Sequence, residues 1–259
     1  MNRMTRRTFL AMAAGAVGLG SWVLTRTGTG EEASSVPSGA SPTTATSSTT
    51  SPSSTTPATT TPVPPPPVVL QVIERQGWGA RTATTDYGSH VIERLTVHHT
   101  AVELLDNREA PARLRGHQRF HQDQGWPDVA YHFAIDRAGN VYEARPYAAP
   151  GDTFTNYDPV GHFLPVLEGD YDKQEPTEAQ IESLVLLLAW AVSEFDVAPV
   201  TVGGHRDYAA TSCPGDHVHA LIVDGSIERR VADRVESGGV ELSYLRGDDA
   251  LAIVDGIEA

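Results

Sequence analysis

The chain has 259 residues, and its 33 acidic side chains outnumber its 19 basic ones. This acidic balance argues against nucleic acid as a partner, because a phosphate backbone needs a basic face to displace its counterions. A single cysteine, Cys213, excludes an intramolecular disulfide and a structural zinc site built from several thiolates.

Residues 1–27 have the features of an export segment. Four arginines and no acid occur in the first thirty residues, and an apolar stretch runs from Phe9 to Leu24. The adjacent Arg6 and Arg7 just before this stretch resemble a twin-arginine signal. No clear small-x-small cleavage site follows, so an uncleaved membrane anchor is the alternative. We expect the remaining chain to be extracytoplasmic, wall-associated or secreted, touching the membrane only through this segment if it is retained.

Residues 28–67 are composed almost entirely of Ser, Thr, Pro, Ala and Gly and end in four consecutive prolines. Such a segment has too few apolar side chains to offset the entropy of ordering. It predicts a disordered, partly polyproline linker that separates a folded domain from the membrane.

Residues 68–236 contain alternating strand and helix patterns, which predict one α/β domain with a central mixed sheet covered by helices. The helix near residue 180 opens with the capping box Thr177–Gln180. Residues 237–259 form an acidic extension whose apolar residues alternate around Gly247, and we interpret it as a hairpin. In chain order the main elements are a strand over Val91–His98, a helix over Arg108–Gln122, a hairpin of Tyr131–Asp136 and Asn140–Glu143, a strand over Gly161–Glu168, a helix through Phe195, a strand over Pro199–Gly203 and a helix over Ser226–Glu236.

The lone cysteine belongs to a candidate metal site. Cys213 follows His205 by eight residues on a loop rich in turn-forming residues, a setting that disfavours core burial and lets both side chains converge. His98 and His99 end a strand and face opposite sides of the sheet, so only one of them can join the other two. Two imidazoles and one thiolate with an open fourth position are typical of catalytic zinc. Spacing alone leaves open that these are three unrelated polar residues.

Five motifs in order resemble those of the peptidoglycan recognition protein and type 2 amidase family, over most of residues 70–222. These motifs are Gln76–Arg81, Leu95–Thr100, Tyr131–Phe133 with Val141–Arg145, Gly204–Asp207 and Thr211–Asp216. The resemblance implies a zinc-dependent N-acetylmuramoyl-L-alanine amidase fold that acts on peptidoglycan. Some animal members that lack the cysteine only bind the cell wall, and the presence of Cys213 here implies catalysis.

Carried over onto this chain, the resemblance makes His98, His205 and Cys213 the ligands of one Zn²⁺, with Tyr131 and Thr211 as catalytic residues. We expect Asp207 or a backbone carbonyl to hold the imidazole rings, and His132 to be a hydrogen-bonded core residue.

Candidates for substrate contacts are weaker. They are His99, Trp126, Arg145 and Asn156. The segment Ala149–Pro159 departs from many relatives, which carry a Gly-x-His-Ala stretch and an asparagine there. That departure puts peptide specificity inferred from relatives in doubt.

The primary prediction is hydrolysis of the amide between the muramic acid lactyl group and the L-Ala of the stem peptide by a monomer. Two alternatives stay open on the sequence: a non-catalytic module that binds peptidoglycan through the same groove, and a zinc peptidase or other amidohydrolase that acts on a different amide.

Overall fold

The structure is a computed structural model that describes residues 65–259. The export segment predicted for residues 1–27 and nearly all of the linker predicted for residues 28–67 lie outside the described residues. Both therefore stay predictions. Among the helices of the described part, none is long and apolar enough to cross a membrane.

Eight strands and five α-helices make up the domain. The strands are β1 (Val68–Ile73), β2 (Arg94–His99), β3 (Phe133–Ile135), β4 (Val141–Glu143), β5 (His162–Phe163), β6 (Pro165–Leu167), β7 (Val202–Gly204) and β8 (Val240–Leu245). The helices are α1 (Ala110–Asp123), α2 (Glu178–Phe195), α3 (Asp216–Val223), α4 (Ser226–Glu236) and α5 (Gly247–Glu258). Short 3-10 turns occur at Asn107–Glu109, Pro199–Thr201 and His205–Asp207.

The strands form one mixed sheet in the order β5-β2-β6-β3-β4-β1-β8, and β7 also pairs with β2. The hairpin β3–β4 is antiparallel and the other pairings are parallel. Its turn needs Gly139, which has a φ of +86°, and a side chain there would collide with the carbonyl of Ala179. The predicted α/β domain with a mixed central sheet is confirmed.

Alternating strand residues supply two separate layers of core, one on each face of the sheet. Phe133 and Ile135 of β3 pack in one cluster with α2 and α4. Between them, Ala134 points to a second cluster, where Leu114 of α1 and Val254 of α5 cover the sheet. Each face of the sheet is thus covered by helices, and the sheet lies between them.

Helix α2 begins where the capping box predicts. The Thr177 hydroxyl accepts a hydrogen bond of 3.1 Å from the Gln180 N–H, which satisfies one of the free donors of the first turn. Apolar residues at helical spacing, including Leu184 and Leu188, are fully buried against the sheet. The helix ends at Asp196, which adopts a left-handed conformation with a φ of +52°.

The hairpin predicted for the C-terminal extension is wrong. Residues Val240–Leu245 form β8, which pairs in parallel with all six residues of β1. Gly247 does not form the predicted turn but begins helix α5, and Asp248 and Asp249 lie in its first turn, where carboxylates favour the positive end of the helix dipole. The extension therefore adds an edge strand and a covering helix to the domain.

Candidate metal centre

Strand register brings two histidines together. In the parallel pair formed by β2 and β7, Val97 is opposite Gly204, so the next residues along the two strands, His98 and His205, are neighbours. Their ring centroids lie 4.5 Å apart, and both side chains are buried. Of the two adjacent histidines, His98 is the one that faces His205.

Cys213 is brought beside the two histidines by a loop whose ends, at Arg206 and Cys213, are hydrogen-bonded to each other. The Arg206 N–H donates to the Cys213 carbonyl at 2.9 Å, and the Arg206 guanidinium contacts the Ser212 carbonyl and Asp216. The thiol lies 3.6 Å from His98 Nδ1 and accepts a hydrogen bond of 3.4 Å from the backbone N–H of His99. Cys213 is buried, although its polar and turn-forming neighbours disfavour burial, but it belongs to neither hydrophobic cluster of the core.

His98, His205 and Cys213 form a group that can hold a metal ion. One ligand atom from each lies within 4.8 Å of the others. These are the three residues that the sequence predicts as ligands, and His99 is outside the group. Two imidazoles and one thiol leave a fourth position free for water or substrate.

Burial gives the two histidines, but not the cysteine, the protonation state of a metal ligand. Desolvation lowers the pKa of His205 to about 4 and that of His98 well below its ordinary value, so both rings are neutral at pH 7 and keep a lone pair. Desolvation also raises the pKa of the Cys213 thiol to about 12. A nearby dication reverses that last effect, because it stabilises the thiolate directly.

The three residues open onto a cavity of about 240 Å³, which Tyr131, Thr211 and Trp126 also line. The Tyr131 ring lies 5.2 Å from that of His98, and burial raises the pKa of its phenol. The Thr211 hydroxyl accepts a hydrogen bond of 3.2 Å from the Cys213 N–H. The structure therefore places both predicted catalytic residues beside the predicted ligands.

Of the four residues predicted to contact substrate, Trp126 and His99 line this cavity. The Nδ1 atom of His99 accepts a hydrogen bond from the Tyr171 N–H at 3.2 Å. Asn156 is exposed and does not line the cavity.

The substrate contact expected for Arg145 does not fit its position. Arg145 is buried, and its guanidinium is bound by the carbonyls of Asp128, Val129 and Pro150 and by the Asp152 carboxylate. These acceptors take four of its five N–H donors, so the buried side chain holds the cavity wall in place instead of facing substrate.

The structure confirms the expectation for His132 and contradicts the one for Asp207. His132 is a core residue as predicted, bonded to the Ala149 carbonyl and the Leu164 N–H at 2.9 Å each. Asp207 does not hold the metal-binding rings, since its carboxylate accepts from the Gly204 N–H and contacts His219. The rings are instead contacted by Thr155 and by Tyr157.

Sequence reasoning also missed two aromatic residues of the cavity, His121 and Phe154. Phe154 packs against Trp126 with a centroid distance of 4.2 Å, and His121 lies 4.8 Å from the same indole. No motif marks Phe154, whereas His121 is identifiable only as a polar residue on the buried face of α1.

Comparisons with known proteins identify the family of the chain. A family model described as N-acetylmuramoyl-L-alanine amidase matches residues 88–216. Peptidoglycan-recognition protein SC2 of Drosophila melanogaster is 33% identical over 151 residues, which cover 57% of this chain and 82% of that protein. The human N-acetylmuramoyl-L-alanine amidase is 34% identical over 134 residues, which cover 49% of this chain and 23% of that protein.

Solved structures give the same result. The Drosophila peptidoglycan recognition protein SD has a TM-score of 0.54 at 27% identity, with 58% of this chain and 92% of that chain covered. The ectodomain complex of peptidoglycan recognition proteins LCa and LCx, solved with tracheal cytotoxin bound, also has a TM-score of 0.54, at 30% identity and with 59% and 95% covered. The chain therefore belongs to the family of peptidoglycan recognition proteins and type 2 amidases.

Proposed function

We propose that the protein is a zinc-dependent N-acetylmuramoyl-L-alanine amidase. It hydrolyses the amide between the muramic acid lactyl group and the L-Ala of the stem peptide. The observation that carries this proposal is the convergence of His98, His205 and Cys213 at the floor of an open cavity. The family contains catalysts and non-catalytic recognition proteins, and a protein that only binds peptidoglycan has no need of such a group.

The donor set fits zinc. Neutral imidazole and thiolate are ligands of Zn²⁺, and three protein ligands are the usual number in catalytic sites. Bound zinc supplies a Lewis acid for the scissile carbonyl and lowers the pKa of water so that it attacks at neutral pH.

Tyr131 acts as a hydrogen-bond donor in this proposal. Because burial raises the pKa of its phenol above the ordinary value, the hydroxyl keeps its proton and does not serve as a base at neutral pH. No described residue accepts a hydrogen bond from this hydroxyl. It is therefore free to donate to the carbonyl oxygen, which gains negative charge as water attacks.

Thr211 holds the cysteine loop and faces the cavity. Its oxygen accepts from the Cys213 N–H, and its own proton is left to donate to substrate. Thr211 thus orients the proposed metal ligand Cys213 through its oxygen and polarises the substrate through its hydroxyl proton.

The test uses the purified full-length chain, loaded with zinc and incubated with intact sacculi. New free L-Ala amino termini and released stem peptides, identified by mass spectrometry, are the expected products. A Cys213→Ala variant provides the control and should release none. Unchanged sacculi that retain the protein would support a recognition module, and cleavage elsewhere in the stem would support a peptidase.

A further inference from the structure

The connection between β4 and β5 contacts both histidines of the candidate metal group. Between β4 and β5 the chain passes over the cavity, and the Thr155 hydroxyl comes within 2.8 Å of His205 Nε2. Two residues later the Tyr157 hydroxyl lies 3.4 Å from His98 Nε2. The Tyr157 ring also packs on that of His205, with centroids 4.9 Å apart.

Both contacts are made by the Nε2 atom of the histidine ring. His98 Nδ1 is the nitrogen near the Cys213 thiol, at 3.6 Å, and Nε2 is the nitrogen near Tyr157. At His205 the hydroxyl engages Nε2, which leaves Nδ1 as the nitrogen available to a metal. A neutral imidazole has one N–H and one lone pair, so an Nε2–H that donates to a hydroxyl oxygen leaves the lone pair on Nδ1.

The partners of Thr155 permit this arrangement of protons. Thr153 Oγ1 accepts the Thr155 backbone N–H at 3.0 Å and lies 2.8 Å from Thr155 Oγ1. When the Thr155 hydroxyl donates to Thr153, its oxygen is left as an acceptor for the His205 Nε2–H. The turn Thr153–Thr155 therefore presents an acceptor to the histidine.

We propose that Thr155 and Tyr157 are positioning residues that hold His205 and His98 with Nδ1 directed at the metal. The inference rests on the proposed zinc function and adds to it the groups that orient the ligands. Both residues belong to the connection between β4 and β5 that lines the cavity, so this connection would build the outer part of the metal centre. Residues in this outer position tune metal affinity and ring orientation.

The two contacts differ in strength. The 2.8 Å distance at Thr155 is that of a good hydrogen bond, whereas 3.4 Å at Tyr157 is beyond the usual range. We therefore expect the larger effect from loss of the Thr155 hydroxyl.

The test measures zinc affinity of the purified full-length chain by competition with a chromophoric chelator. Thr155→Val removes the hydroxyl and keeps the shape, and it should weaken zinc binding by about 10-fold to 100-fold. Thr155→Ser restores the hydroxyl and should restore affinity to within about threefold of the parent. Tyr157→Phe should weaken binding less than Thr155→Val does.

Tyr208→Phe is the matched control for Tyr157→Phe. The Tyr208 ring stacks on Tyr157 and meets His162 edge-on, and it makes no ring contact with either metal-ligand histidine. This variant should bind zinc like the parent. Urea unfolding of the metal-free variants separates a loss of affinity from a general loss of fold.

The outcomes distinguish the inference from the proposed function. If the parent binds zinc and Thr155→Val binds it equally well, the positioning role is wrong and the zinc proposal stands. A parent that binds no zinc would remove both. Weak binding by Thr155→Val and Thr155→Ser alike would also overturn the role of the hydroxyl, because the conservative variant keeps it.

Discussion

At the scale of single residues, the choice between two adjacent histidines can be tested directly. His98→Ala should lose the zinc, because His98 is a member of the three-residue group. His99→Ala should keep it, because His99 is bonded through Nδ1 to the Tyr171 N–H and lies outside that group. Zinc per chain, measured by atomic absorption, decides. Loss of zinc in His99→Ala with retention in His98→Ala would reverse the assignment.

Tyr131 should affect rate and leave metal content unchanged. Tyr131→Phe removes one hydroxyl and keeps the ring beside His98. Loss of one preorganised donor to an oxyanion costs on the order of 10²-fold to 10³-fold in turnover, which is the decrease we expect in amide cleavage. Zinc content and sacculus binding of the same variant are the controls. Turnover within a few-fold of the parent would make Tyr131 a packing residue.

The three residues of the candidate metal group could be predicted because family motifs mark them, but the groups that contact their rings could not. Spacing alone indicates no contact between residue 155 and residue 205, since the pairing depends on how a long connection crosses the cavity. Asp207 is near His205 in sequence and was the natural expectation, yet its carboxylate is taken up by Gly204 and His219. Arg145 was misassigned for a similar reason, because burial is a property of the tertiary structure.

At the scale of elements, the helices and strands with strong local sequence signals were predicted well. Helix α2 has a cap and a long apolar face, and its predicted and observed bounds agree. Strand β1 was missed, and the strand before Gly247 was predicted with the wrong partner, because β1 and β8 stabilise each other over a separation of about 170 residues that no local pattern reports. In α5, a glycine followed by two aspartates has the composition of a turn, and packing on α1 selects the helix instead.

The contact between the N-terminal part of the domain and α5 depends on one glycine. A Cβ on Gly77 would lie 2.6 Å from the Cβ of Ala250. Gly77→Ala should therefore displace α5 and lower the free energy of unfolding by about 1–3 kcal/mol, measured by urea titration.

Gly116→Ala on helix α1 is the control for this prediction. Its new Cβ would meet only Arg119, at 3.8 Å, so the change should stabilise by about 0.5–1 kcal/mol through helix propensity. Equal stability of Gly77→Ala and the parent would mean that α5 does not pack as described.

At the scale of the whole molecule, buried histidines should make the metal-free domain unstable in acid. Burial lowers the pKa of His121, His162 and His205 to about 4 each. A depressed pKa in the folded state gives stability that is complete above about pH 6.5 and is lost as pH falls towards 4. After allowance for partly exposed rings, we expect a loss on the order of a few kcal/mol between about pH 7.5 and about pH 5. Urea unfolding in the presence of a chelator measures it.

The contribution of His117 to stability should change with pH in the opposite direction. Burial works against its charged form, yet the Glu168 carboxylate 3.4 Å from its Nε2 raises its pKa above the ordinary value. That contribution is complete below about pH 6.5 and is lost as pH rises through the raised pKa. His117→Gln should thus destabilise most in acid and least in base.

A parent that becomes more stable on acidification would contradict the prediction for the buried histidines.

Export is a prediction about residues that the structure does not describe. If Arg6 and Arg7 form a twin-arginine signal, their joint replacement by Lys should leave the protein in the cytoplasm, as seen by fractionation and immunoblotting. A zinc protein gains from that route because it can fold and bind metal before transport. Unchanged secretion of the double variant would indicate the general secretory route or a plain anchor.

The parallel pairing of β1 with β8 has a mechanical consequence. A pull on the predicted linker reaches the domain at Pro67, directly before β1, which is hydrogen-bonded to β4 on one side and to β8 on the other. Force along β1 loads the bonds of its six-residue register with β8 in shear, so they resist together instead of opening one at a time like a zipper. The C-terminal extension therefore reinforces the strand that follows the predicted linker, and we expect a domain without it to unfold at lower force.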